Sequence, residues 1–102
     1  MWTLVLFDLP MTTASLRKVY GKFRKDLLRL GFEMLQKSVY LRWEDSDIAA
    51  QTLQKRVQNA MPRCGQVTIL PLTQRAWQNV RVTVDGAPCA PCGKPEDFLI
   101  LG

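Results

Sequence analysis

Four strand-like apolar runs, two helical periodicities set between them and a length of 102 residues predict a small α+β domain. The order β-α-β-β-α-β is ferredoxin-like, and an extra C-terminal strand is expected beyond it. A chain of this size buries one modest core and no deep cleft, so one domain over residues 1–102 is expected. Within it, 86–102 reads as a loop followed by a strand that contacts a dimer mate or another partner. A homodimer is expected on the same ground, because two-fold symmetry doubles every group near its axis and builds a concave site from little chain.

Trp2 to Phe7 is nearly all apolar and rich in β-favouring residues, which suits a strand buried on both faces at the centre of a sheet. Thr12 or Thr13 caps the helix that follows. From Ser15 to Leu30 the residues Leu16, Val19, Tyr20, Phe23, Leu27 and Leu30 recur at helical spacing, and Gly31 closes the helix. Phe32 to Trp43 returns to β chemistry, with a break near Lys37 and Ser38 that splits it into two short antiparallel strands. Glu44 to Asp47 supplies cap formers and negative charge at a helix start. Ala50, Leu53, Val57 and Met61 form the buried stripe of that helix, and Pro62 stops it. Gln66 to Leu70 reads as a strand, Thr73 to Gln78 as a helical turn and Val80 to Val84 as a further strand. Asp85 to Pro95 reads as a Gly/Pro loop, and Phe98 to Leu101 as a terminal apolar strand that adds to a sheet edge outside its own core.

Fourteen Lys and Arg against nine Asp and Glu give a net charge of +5, which favours a polyanionic partner or an anionic membrane surface. The longest apolar run, Leu4 to Phe7, is far short of the roughly 20 residues that span a bilayer, so no membrane is expected. Asp8 and Pro10 interrupt too early for a secretory signal, and a cytoplasmic address follows. Three cysteines make a disulfide framework a poor fit. Cys89 and Cys92 stand as a lone CxxC, too little for a zinc site, with their role left open. Histidine is absent, which removes Ser-His and Cys-His nucleophilic chemistry and leaves carboxylates, hydroxyls, thiols and cations to act.

The first helix carries Arg17, Lys18, Lys22, Arg24, Lys25 and Arg29 against one acid, Asp26, so the whole net charge resides there. Lys18, Lys22, Lys25 and Arg29 fall at steps of four, three and four along one side, with Arg17 beside them. This is either a track for a phosphate backbone or a plain solvated face. Asp8 stands just past the central strand, where sheet-based sites gather ligands, and its oxygens suit Mg²⁺ or another hard divalent cation such as Mn²⁺. One carboxylate is a thin site, but with its symmetry mate it would suffice for a metal that keeps water and substrate phosphate as further ligands. A residue so placed also commonly bonds the backbone of its own turn, and both readings stand.

Leu6-Phe7-Asp8-Leu9-Pro10, Arg17-Lys18-Val19-Tyr20 with Lys22-Phe23-Arg24-Lys25, and Gly31 to Tyr40 (GFEMLQKSVY) together resemble the small CRISPR-associated adaptation proteins, the second Cas protein. The likeness is strongest over residues 4–43, continues through Gly65 to Thr73, and the closing Phe98 to Gly102 resembles members from systems with one large effector nuclease. It implies a ferredoxin-like homodimer that joins a larger adaptation integrase, binds duplex DNA or RNA and serves spacer acquisition. It also implies that Asp8 is the metal-binding and catalytic residue, facing its mate, in those members that are metal-dependent endonucleases. In others the integrase does the chemistry and this subunit bridges DNA. A single-strand RNA-binding module with the same element order is the alternative, although its Gly- and aromatic-rich strand motif is missing from Lys37 to Trp43.

Overall fold

The computed structural model describes residues 1–89, which run β1 (Trp2–Asp8), α1 (Ala14–Arg29), β2 (Glu33–Gln36), β3 (Val39–Trp43), α2 (Asp47–Ala60), β4 (Gln66–Leu72), α3 (Gln74–Trp77), β5 (Val82–Val84) and β6 (Ala87–Cys89). The first four strands form one antiparallel sheet of order β2-β3-β1-β4. Each helix therefore crosses over a strand that pairs between the two it connects, which is the split βαβ arrangement of a ferredoxin-like fold. Its second copy runs β3-α2-β4 around β1.

Strand alternation divides the core. Val5, opposite Tyr40 and Ile69, and Phe7 pack with Phe23 and Leu27 of α1 and Leu53 and Val57 of α2. Trp2 and Leu4 face the other way and pack with Leu41 and Trp77. Short α3 thus covers part of the sheet face that α1 and α2 leave open. Trp2 is the anchor there, its ring 5.3 Å from that of Trp77 and 5.4 Å from that of Trp43, with its indole N–H donating to Gln74 Oε1 at 2.6 Å.

Caps define the helices much as their residues dictate. Thr13 Oγ1 accepts the Leu16 N–H at 3.1 Å and Ser46 Oγ accepts the Ala49 N–H at 3.1 Å. At its end α1 closes in a Schellman motif: Phe32 N–H donates to Leu27 O and Gly31 N–H to Leu28 O, both at 3.0 Å, with Gly31 at φ 86°. The Arg42 guanidinium sits against that turn, donates to Leu30 O and pairs with Glu44 at 2.5 Å. A side chain at position 31 would collide with it.

Three segments differ from the sequence expectation. The strand expected from Val80 starts at Val82, because the Val80 N–H closes the turn after α3 by donating to Trp77 O at 3.0 Å. β4 continues through Pro71 to Leu72 rather than ending at Leu70. With β1 as its one partner among the described residues, β4 is an edge strand, where a residue lacking an N–H is tolerated. The stretch read as a loop from Asp85 begins instead with a hairpin, because Val84 pairs with Ala87 across a two-residue Asp85-Gly86 turn. Asp85 adopts φ 52°, as the tight hairpin turn requires. β5 and β6 form a sheet of their own. Cys92 and the expected strand from Phe98 to Leu101 lie outside the described residues.

The packing of Gly31 against Arg42 gives a test. Gly31→Ala and Arg42→Ala should each lower stability by about 1–2 kcal/mol, the first through left-handed backbone strain and the collision, the second through lost charged hydrogen bonds. The double variant should lose less than the sum, because removing the guanidinium relieves the collision. Urea midpoints at constant m measure this, and strict additivity would mean that the two sites are uncoupled.

Candidate functional site

β1 ends where Phe7 turns inward and Asp8 turns outward. The Phe7 ring lies 5.0 Å from Phe23, 5.5 Å from Tyr20 and 5.7 Å from Tyr40, fixed from α1 on one side and β3 on another. By alternation Asp8 falls on the opposite face of the sheet, with Leu4 and Leu6, and is exposed. Its main chain pairs with Gln66 of β4. Gly65, at φ 72°, lets β4 start this close: a Cβ there would lie 2.5 Å from the Asp8 carbonyl oxygen and 2.8 Å from Leu9 Cδ2.

Asp8 opens into a depression of about 320 Å³, shared with Leu6, Lys37, Ser38, Gln66 and Thr68. Its carboxylate makes no hydrogen bond or ion pair with any described residue. The turn bond that a carboxylate at this position commonly forms is therefore not what holds Asp8. An unpaired carboxylate beside the neutral oxygens of Ser38, Gln66 and Thr68 offers ligands of the kind a hard cation takes. No group of three His, Cys, Asp or Glu side chains clusters among the described residues, so one chain offers a divalent ion a single charged ligand.

The cations of α1 lie elsewhere. Lys18, Lys22, Lys25 and Arg29 are exposed along the outer side of the helix, and none lines the depression. Asp26 partly neutralises two of them, 2.8 Å from Lys22 Nζ and 3.7 Å from Arg29. Arg17 stands at the start of α1 and donates to Met11 O at 3.2 Å, so it braces the loop that follows Asp8. Lys37, Gln66 and Thr68 had no place among the sequence candidates. The signal for Lys37 was its position in the β2–β3 turn, but the sheet order that brings this turn beside β1 is a tertiary fact.

Residues 1–80 match the family model described as CRISPR associated protein Cas2. The chain belongs to the Cas2 family. Relatives named "CRISPR-associated endoribonuclease Cas2" include one from Parvibaculum lavamentivorans, 42% identical over 84 residues, 82% of this chain and 83% of the relative. Another, from Paracidovorax avenae, is 38% identical over 101 residues, 99% of this chain and 93% of the relative. A third, from Flavobacterium psychrophilum, is 40% identical over 77 residues, covering 76% and 67%. Membership assigns the protein a CRISPR-associated role, and Asp8, the α1 cations and Lys37 all fall inside the Cas2 match. Among the described residues no helix is long and apolar enough to cross a membrane.

The bonding of Asp8 yields a direct prediction about folding. Asp8→Asn in this Cas2 protein should melt within about 2 °C of the wild type without metal, since no bond to the turn is lost. A fall of about 4–8 °C, the equivalent of one lost hydrogen bond in a domain of this size, would show that the carboxylate holds the β1–α1 loop after all.

Proposed function

We propose that this Cas2 protein works as a homodimer in CRISPR adaptation, binding nucleic acid along α1, bridging the integrase and holding a metal-dependent phosphodiesterase site at paired Asp8 residues. The observation that carries this reading is the Asp8 carboxylate itself: exposed, unpaired among the described residues and open to a depression on the sheet face away from α1 and α2. A single carboxylate is incomplete as a site, and a second copy across a two-fold axis supplies the other. Mg²⁺ or Mn²⁺ between the two would polarise the phosphate and lower the pKa of the attacking water. The chain's own part is to present the two carboxylates, to keep them from closing on their own turn and to gather the substrate by charge.

The relatives' names support RNA as a substrate of the Cas2 relatives. The cations of α1 suit duplex DNA or RNA alike, because they address phosphates and carry no base information. The simpler RNA-binding module is disfavoured by packing. Such a module stacks bases on exposed sheet aromatics, whereas Trp2, Phe7 and Tyr40 are buried here and α3 covers part of the open face.

One assay on purified full-length protein tests the phosphodiesterase reading. Wild type should cleave RNA or DNA when Mg²⁺ is present, and Asp8→Ala should abolish this without weakening binding. Cleavage that persists in Asp8→Ala, or a wild type inert toward both polymers, would overturn the phosphodiesterase and leave the bridging role.

In the same preparations, replacing Lys18, Lys22 and Lys25 with Gln should weaken binding to all sequences alike. The salt slope should flatten by up to about 0.9 per lost duplex-phosphate contact, and an unchanged slope would leave the stripe as plain surface.

A further inference from the structure

Among the residues that line the depression at Asp8, Lys37 is the one cation and Asp8 the one anion. Both side chains are exposed, and Lys37, like Asp8, makes no hydrogen bond or ion pair with any described residue. Two opposite charges thus share one open depression without closing on each other.

The turn that carries Lys37 is held in place. Ser38, the next residue, has φ 64°, in the left-handed region that side chains other than glycine rarely occupy. Such backbone persists only where its surroundings over-determine it. Here Phe7 N–H donates to Ser38 O at 3.0 Å, and the Tyr20 and Ser38 hydroxyls are 2.9 Å apart in a hydrogen bond. The turn is therefore latched to β1 one residue before Asp8, and to α1 through Tyr20, whose ring in turn packs on Phe7. Lys37 and Asp8 are placed by the same anchor.

We propose that Lys37 binds the substrate phosphodiester at the Asp8 site, with the Tyr20–Ser38 latch as its positioning device. The proposal rests on the reading of Asp8 as the catalytic carboxylate and adds the group that faces it. A phosphodiester in the depression meets the Lys37 ammonium on one side and the Asp8 end of the site on the other, while Gln66 and Thr68 on β4 offer neutral donors. An ammonium is a compact charge that needs no fixed fork, which suits an exposed turn residue reaching a non-bridging oxygen. It acts on ground state and transition state alike, so its loss raises KM more than it lowers kcat.

The test uses the full-length chain with Lys37→Gln, Lys37→Arg and Tyr20→Phe. Binding of labelled single-stranded RNA and DNA oligonucleotides is measured against salt, with Ca²⁺ in place of Mg²⁺ to occupy carboxylate oxygens. Lys37→Gln should bind about tenfold more weakly, with a salt slope lower by about 0.7 for the lost contact, and Lys37→Arg should stay near wild type. Tyr20→Phe should lose part of the affinity while its salt slope is kept, because the charge remains and only its placement loosens. Unchanged affinity and slope in Lys37→Gln overturn the proposal even in a wild type that cleaves. A wild type that does not cleave retires the catalytic reading of Asp8 alone, and the salt slope still decides on Lys37.

Discussion

The packing of Phe7 is the interaction on which the rest depends. Its ring meets three other aromatics, two from α1 and one from β3, so a single residue fastens the central strand to the helix layer and to its neighbour in the sheet. Strand geometry then leaves no choice for the next residue: with Phe7 inward, Asp8 must point to the other face. A slip of one residue in β1 would exchange the two, burying a carboxylate and exposing a phenyl ring. The register of β1 against β4 over seven paired residues makes that slip costly, and so the position of the carboxylate is as firm as the core.

The same layer separation sorts the charge. Cations gather on the outer side of α1, whereas the Asp8 depression lies across the sheet from it, and Arg17 is the member of the basic set nearest the connecting loop. The basic stripe and the exposed carboxylate therefore occupy different faces of one small domain. Asp26 tempers the basic face, since it pairs with both Lys22 and Arg29 on an exposed helix where each pair contributes little to stability. Its effect is to lower the field that Lys18 and Lys25 project without cancelling it.

Tight approaches between elements recur at chain reversals. Gly31 lets the Arg42 guanidinium reach the Leu30 carbonyl at the C-cap of α1, and Gly65 lets β4 start against Asp8 and Leu9. Ser38 takes a similar conformation without glycine's freedom, at the cost of strain that Phe7 and Tyr20 offset by hydrogen bonding. The reversals that flank the depression are thus tied to the core, and the one that carries Lys37 is tied twice.

Much of this was legible in the residues. The spacing of Leu16 to Leu30, the threonine and serine caps, Gly31 and the apolar run of β1 are local signals, set by helix period, orphan backbone groups and strand alternation, and the structure places their elements within a residue or so. Asp85-Gly86 carried an equally local hairpin signal that a loop reading passed over, because the Gly/Pro content beyond it outweighed a two-residue turn. Asp8 was visible as the first polar residue after a buried strand. Tertiary structure alone decided its surroundings: the absence of a turn bond to the carboxylate, the segregation of the α1 cations from it, and the arrival of Lys37, Gln66 and Thr68 beside it. Those depend on which strands become neighbours, and a sheet order is a property of long-range pairing that no local pattern of residues encodes.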